Sequence, residues 1–157
     1  MAPDAGFGVL SLDDVRAVDG LALFQGMIEG RYPAPPIARA IGFEVARVGH
    51  GLVEFTYTPT ADHLNPLGSI HGGIAATMLD GVMGCCIHTT LKAGIGYTTL
   101  EIKVNYVRAM TEKTGKVRAE GKVINVGSRI GTSEGRLYDA GGRLLAHGTT
   151  TCLIFPL

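Results

Sequence analysis

The stretch HLNPLGSIHGGIAATMLDGVMG, residues 63–84, holds a single carboxylate, Asp80, among small and apolar side chains. Between His71 and His88 it is the only ionisable side chain apart from the thiols of Cys85 and Cys86. Burying an unpaired carboxylate is costly, so an acid kept there is expected to be paired or to do chemistry. Desolvation strengthens a carboxylate as a base, and general base or nucleophile are the roles it suits. The competing reading is a strut, with Asp80 bonded to Thr77 or Thr99. Upstream, Gly72 and Gly73 leave the first-turn amides of the coming helix uncovered. Bare N–H groups at a helix start bind an anion or a developing oxyanion. The glycines serve close packing equally well. Asn65, Pro66 and Gly68 shape the preceding turn, and Ser69 or His71 can cap the helix.

Other chemistries fit the spacing poorly. A zinc site assembled from His63, His71, Cys85, Cys86 and His88 would need ligands 17 residues apart with no close second ligand beside His71, and adjacent cysteines on a helix point apart. No metal is therefore expected. A nucleophile elbow G-x-S-x-G, a phosphate loop and a dinucleotide fingerprint are all absent.

The elements that must position these residues follow from periodicity. Residues 71 to about 91 lack proline and read as a helix buried on most sides. Before it, 11–28 reads as one helix with a Ser11 cap, ending at Gly30 and the prolines of RYPAPP, and 37–41 as a short turn. Period two predicts strands over 43–48 and 52–58, joined across Gly49-His50-Gly51, and over 98–108, 115–126, 131–138 and 143–154. Residues 59–70 read as a loop, and Asp139-Ala140-Gly141-Gly142 as a hairpin turn. On strand 98–108, Leu100, Ile102, Val104 and Tyr106 are expected on one face and Thr99, Glu101, Lys103 and Asn105 on the other. One helix that is apolar nearly all round needs a sheet to wrap it. The expected fold class is therefore α+β, a curved antiparallel sheet around a central helix with an extra N-terminal helix. Residues 1–36 are expected to form the helical extension and 37–157 the main domain. An open edge and an uncovered face predict at least a dimer.

The chain has 157 residues, 14 basic and 14 acidic side chains, and no Trp. That is one domain's worth, with no net charge to recruit nucleic acid or an anionic membrane. Residues 1–100 carry 5 basic and 9 acidic groups and residues 101–157 carry 9 and 5, leaving a mildly basic C-terminal half. Three cysteines do not make a disulfide framework, and MAPDAGFGVLSLDDV places acids where a secretory signal needs bases. A cytoplasmic setting is expected. The apolar run 70–91 carries Asp80 uncompensated, which disfavours a membrane span.

The run Asn65-x-x-Gly68-x-x-His71-Gly72-Gly73, with Asp80 seven residues on, resembles the hotdog-fold acyl-CoA thioesterases of the phenylacetate-pathway (PaaI) type. The resemblance continues through TTLEIKVNYVRAM (98–110) and DAGGRLLAHGTTTCLI (139–154), and covers roughly residues 40–155. It implies hydrolysis of an acyl- or aroyl-coenzyme A. The Gly72 amide would stabilise the oxyanion, and Asp80 would activate water or attack as a nucleophile. Asn65 and His71 would position the thioester and the water, and Thr99 would orient the water. Sites would lie between subunits of a homodimer or homotetramer, so Gly72 and Asp80 of one site would come from different chains. Gly73 and a strand segment 126–130, with Ser128, Arg129 and Ile130, would meet the coenzyme; Tyr106 and Arg108 are further candidates. No cofactor is required, coenzyme A being part of the substrate. The alternatives are a non-catalytic acyl-CoA-binding protein and a hotdog acyl-thioester hydratase or dehydratase.

Overall fold

A computed structural model describes residues 5–157; the start of the N-terminal reading, residues 1–4, lies outside them. Six strands form one antiparallel sheet: β1 (Phe43–Gly49), β2 (Leu52–Tyr57), β3 (Ile95–Tyr106), β4 (Val117–Val126), β5 (Ile130–Tyr138) and β6 (Leu144–Pro156). Their spatial order is β1-β2-β4-β5-β6-β3, so β1 and β3 are the two edges. The long helix, α4 (Gly72–His88), lies across the concave face. Met78, Leu79, Val82, Met83, Cys86 and Ile87 of α4 are fully buried. They meet Val53, Phe55, Val117, Ala119, Leu137 and Cys152 from the strands. This is the α+β arrangement expected from the sequence. Among the described residues no helix is long and apolar enough to cross a membrane.

Contact between helix and sheet is closer than ordinary side chains permit. A Cβ at Gly121 of β4 would collide with the Val82 carbonyl, so glycine lets the backbones approach. The buried Ser133 hydroxyl of β5 donates to the Met83 carbonyl at 2.8 Å, tying the middle of the helix to the sheet.

The N-terminal segment differs from the single helix expected. It forms α1 (Leu12–Ala17) and α2 (Gly20–Ile28). Val18 is extended at φ −125° and ψ 149°, and the Asp19 side chain caps α2 by accepting from the Ala22 N–H at 2.8 Å. A local cap has restarted the helix where periodicity alone would run it through. The expected turn at 37–41 is a short helix, α3 (Pro36–Ile41), with proline in its first turn. α2 closes the C-terminal end of α4. The Gly20 N–H donates to the Leu91 carbonyl at 3.1 Å, and Phe24 meets the His88 ring edge-on with centroids 5.7 Å apart.

The strict alternation expected on β3 also fails. A bulge lies between Thr99 and Glu101, and an extra residue in a strand reverses which side chains face the core. The outer surface of the sheet carries ion pairs, among them Arg118–Glu120 at 2.9 Å and Arg136–Glu134 at 2.8 Å. Part of the basic C-terminal bias is thus paired strand surface.

Candidate active site

The loop before α4 is built by Asn65. Its Oδ1 accepts from the N–H groups of Leu67 (2.9 Å) and Ser69 (3.2 Å), and its Nδ2 donates to Ser69 Oγ at 2.8 Å. Gly68 adopts φ +78° inside this turn, a conformation glycine takes freely. Asn65 therefore organises the loop with its own amide engaged. Pinned in addition by the His71 N–H donating to the His63 carbonyl at 2.8 Å, the loop delivers His71 to the cap position of α4.

His71 accepts from the Gly73 N–H through Nδ1 at 2.9 Å. An accepting Nδ1 puts the ring proton of the neutral imidazole on Nε2. The Gly73 amide is thus occupied, contrary to the expectation that both glycine amides stand uncovered. The Gly72 N–H has no acceptor among the described residues. It is a donor left open at the start of α4. Across from it, Tyr106 at the end of β3 donates from Oη to the Gly72 carbonyl at 3.0 Å. Tyr106, Arg108, Ile70, Ala75 and Met110 line a pocket of about 220 Å³ that Gly72 also borders.

Asp80 sits two turns further along α4. Thr99 donates from Oγ1 to Asp80 Oδ1 at 3.0 Å, and Oδ2 has no protein partner among the described residues. Of the two strut partners considered, Thr99 is the one used; Thr77 instead donates to the Gly73 carbonyl at 2.9 Å. The expected burial of Asp80 is not complete in a single chain. Gly73, Ala76, Thr77, Asp80, Gly81 and Cys85 are all half-buried, leaving a partly open strip on α4, with Asp80 tied to β3 through Thr99. The sheet ends at β3, and among the described residues no further strand covers that side.

Gly72 and Asp80 cannot meet in one chain. Eight residues of helix separate them by about 12 Å along the axis, too far for both to touch one reacting carbonyl. Ser128, Arg129 and Ile130 lie still further off, at the other end of α4, where Gly131 packs against Ile87 and Ile154 donates to the Arg129 carbonyl at 2.8 Å. The segment expected as strand over 126–130 is a turn joining β4 to β5, because both strands end there: Val126 pairs with Gly131, and the Gly127 N–H closes on the Ile130 carbonyl at 2.8 Å. Ser128 and Arg129 line a second pocket, of about 350 Å³, with Ile95 and Phe155. Arg108, at the Gly72 end, donates to the Leu144 carbonyl at 2.7 Å.

The remaining ionisable groups near α4 are held neutral. Burial pushes the thiols of Cys85 and Cys86 up to about 12, which removes them as nucleophiles at neutral pH. Burial also lowers His88 from its ordinary value and raises Tyr97 well above its own. Tyr106 as a partner of Gly72 was missed in the sequence, where a strand tyrosine reads as packing. Spacing gives no signal for it, because seven residues from Thr99 is an odd separation and only the bulge brings the two side chains to one face.

Comparison with known proteins gives the family. The Thioesterase superfamily model matches residues 67–146, just over half of the 157-residue chain. A provisionally named esterase of Halobacterium salinarum is 33% identical over 69 residues, 43% of this chain and 44% of that protein. The chain thus spans under half of that relative's length. The 1,4-dihydroxy-2-naphthoyl-CoA hydrolase of Escherichia coli K12 is 26% identical over 107 residues, 68% of this chain and 77% of that protein. Among solved structures, a phenylacetic acid degradation-related protein of Ralstonia eutropha JMP134 superposes with a TM-score of 0.75 at 30% identity, covering 83% of this chain and 98% of that one.

Proposed function

Because this chain belongs to the thioesterase superfamily, we propose that it hydrolyses an acyl- or aroyl-coenzyme A thioester to the free acid and coenzyme A. The observation that carries the reading is the Asp80–Thr99 pair. It holds one carboxylate oxygen by a hydroxyl donor and leaves the other free, on an otherwise apolar strip that stays partly open in the single chain. The naphthoyl-CoA hydrolase among the relatives supports a coenzyme A thioester as the substrate class.

The chemistry follows from what the residues can donate and accept. The thioester carbonyl oxygen accepts from the bare Gly72 N–H, which strengthens its hold as negative charge develops there. Asp80 Oδ2 takes a proton from a water while Thr99 keeps Oδ1 oriented. That water attacks the carbonyl carbon, the C–S bond breaks, and the thiolate leaves with the proton that Asp80 received. In the nucleophilic variant Oδ2 itself attacks the carbonyl carbon, the C–S bond breaks to release the thiolate as the anhydride forms, and water then cleaves the anhydride to the free acid and the Asp80 carboxylate, its spare proton going to the thiolate. His71 presents its Nε2–H at the same helix end, and Asn65 sets the loop that aims it. Ser128, Arg129 and Ile130 are the candidates for meeting coenzyme A; the Gly73 backbone, also expected there, has its N–H held by His71 and its carbonyl by Thr77. No metal or resident cofactor enters any step.

A site with Gly72 and Asp80 from two chains requires a dimer whose β3 edges pair antiparallel. The ends of β3 support this: Thr99 marks Asp80 and Tyr106 marks Gly72. A register centred near Ile102 sets Thr99 of one chain beside Tyr106 of the other. The same pairing moves the Ser128–Ile130 turn of one chain toward the Gly72 end of its neighbour, which separates by helix length within a single chain. A homodimer is the minimum unit, with pairing into a homotetramer open to it, and reduced thiols suit the cytoplasm.

Hydrolysis of a panel of acyl- and aroyl-coenzyme A esters, followed by free thiol with EDTA present, tests this reading with Asp80→Asn alongside. Turnover that persists in EDTA and collapses in the variant supports it. Binding of the esters without turnover replaces it by an acyl-CoA-binding protein.

A further inference from the structure

We infer that Tyr106 is a positioning residue for the Gly72 amide: with His71 it clamps the Gly72–Gly73 peptide from both ends. The catalytic consequence rests on the thioesterase reading above; the clamp itself is geometric. His71 Nδ1 accepts from the Gly73 N–H at 2.9 Å, and Tyr106 Oη donates to the Gly72 carbonyl at 3.0 Å. Both bonds fall on one peptide plane. Because that plane is rigid, holding its C=O and its N–H fixes its orientation. The neighbouring His71–Gly72 peptide is held by its own carbonyl, which accepts from the Ile74 N–H at 3.0 Å. Its N–H, the bare donor of Gly72, is what remains free.

Glycine is the soft joint between these two planes, since it lacks the side chain that would restrict its dihedrals. Tyr106 compensates. Its ring atoms would stand 3.3 Å from a Cβ at Gly72, so they cover the joint from the sheet side. Tyr106 is 57% exposed, and an exposed ring packs without needing an inward hydroxyl. The hydroxyl reaches a carbonyl that has a second lone pair to accept it beside the helix bond. It links the end of the edge strand to the first residue of α4. His71 alone would hold only the N–H side of the plane.

Tyr106→Phe keeps the ring and removes the hydroxyl. For the hydrolysis of a coenzyme A ester we expect kcat to fall about tenfold with KM changed less than about twofold, as for a misplaced donor rather than a lost substrate contact. The thermal midpoint should stay at the wild-type value. In a double-mutant cycle with His71→Ala the combined loss should be smaller than the product of the single losses, because either change frees the same peptide. Unchanged kcat, a rise in KM alone, or multiplicative losses would overturn the inference. NMR supplies an arm that needs no turnover: in Tyr106→Phe the Gly73 amide should exchange with solvent faster and its 15N resonance should move. If the wild-type chain hydrolyses no thioester, the function reading fails while this arm still decides the clamp. Faster Gly73 exchange then upholds it, and unchanged exchange rules it out.

Discussion

Thr99 and Tyr106 lie seven residues apart on β3, yet both direct their hydroxyls to α4, Thr99 to Asp80 at 3.0 Å and Tyr106 to Gly72 at 3.0 Å. In a regular strand an odd separation puts two side chains on opposite faces. The bulge between Thr99 and Glu101 removes the conflict by adding one residue. Leu100, the added residue, is 55% exposed at the sheet edge. The bulge therefore lets one strand serve both the acid and the bare amide.

Replacing Asp80 by Asn keeps an oxygen that can accept from Thr99 and removes the base. Hydrolysis should fall by about 10²–10⁴-fold with little change in thermal midpoint. Steady-state kinetics beside a melting curve checks both halves. A large loss of stability would instead favour the strut.

Gly72→Pro deletes the bare N–H and adds a ring whose Cβ stands 3.3 Å from the Tyr106 ring, which must give by a few tenths of an ångström. Proline is tolerated at the first helical position, and His71 at φ −56° and ψ 133° already has the extended backbone that a following proline needs. We expect a folded chain with kcat reduced by about 10²–10³-fold. Refolding this variant together with Asp80→Asn should restore activity. A mixed dimer with shared sites keeps one intact site, giving about one quarter of the wild-type rate in a random mixture. No recovery would mean that both residues serve a site from the same chain.

Gly121→Ala should destabilise without touching the site, since its Cβ meets the Val82 carbonyl rather than a movable side chain. A loss of about 1–3 kcal/mol in urea unfolding is expected for such overpacking.

The stability of the chain should decline as pH falls below about 6.5, and His88 is a named contributor. Burial lowers its pKa in the folded state beneath the ordinary 6.5. Above 6.5 the ring is neutral folded and unfolded, and its contribution is complete. Below it the unfolded chain takes up a proton first, and stability is lost as pH falls toward the folded value. His88→Phe should flatten this part of the profile of midpoint against pH. Glu54 acts lower down: its hydrogen bond with Arg47 depresses the carboxyl from its ordinary 4.5. That contribution is present above 4.5 and fades as pH falls through the depressed value.

What the sequence by itself determined is what local rules control. Period two against an uninterrupted apolar run separated six strands from one central helix, and composition made that helix the core. Asp80, alone among apolar neighbours, and the glycine pair after His71 drew attention to the two ends of the candidate chemistry. Where local competition decides, periodicity fell short: the Asp19 cap split the N-terminal helix. At 126–130 periodicity had left a connection between strands, and the strand segment implied there by the resemblance is a turn. Tertiary structure alone decided which amide stays bare, because His71 takes Gly73, and which threonine meets the acid, because a single bulge turns Thr99 inward. It also left Asp80 on a partly open strip of α4. None of these has a signature in residue type or spacing. Each depends on where a second element lies across the fold, and a linear sequence carries that only through the packing it produces.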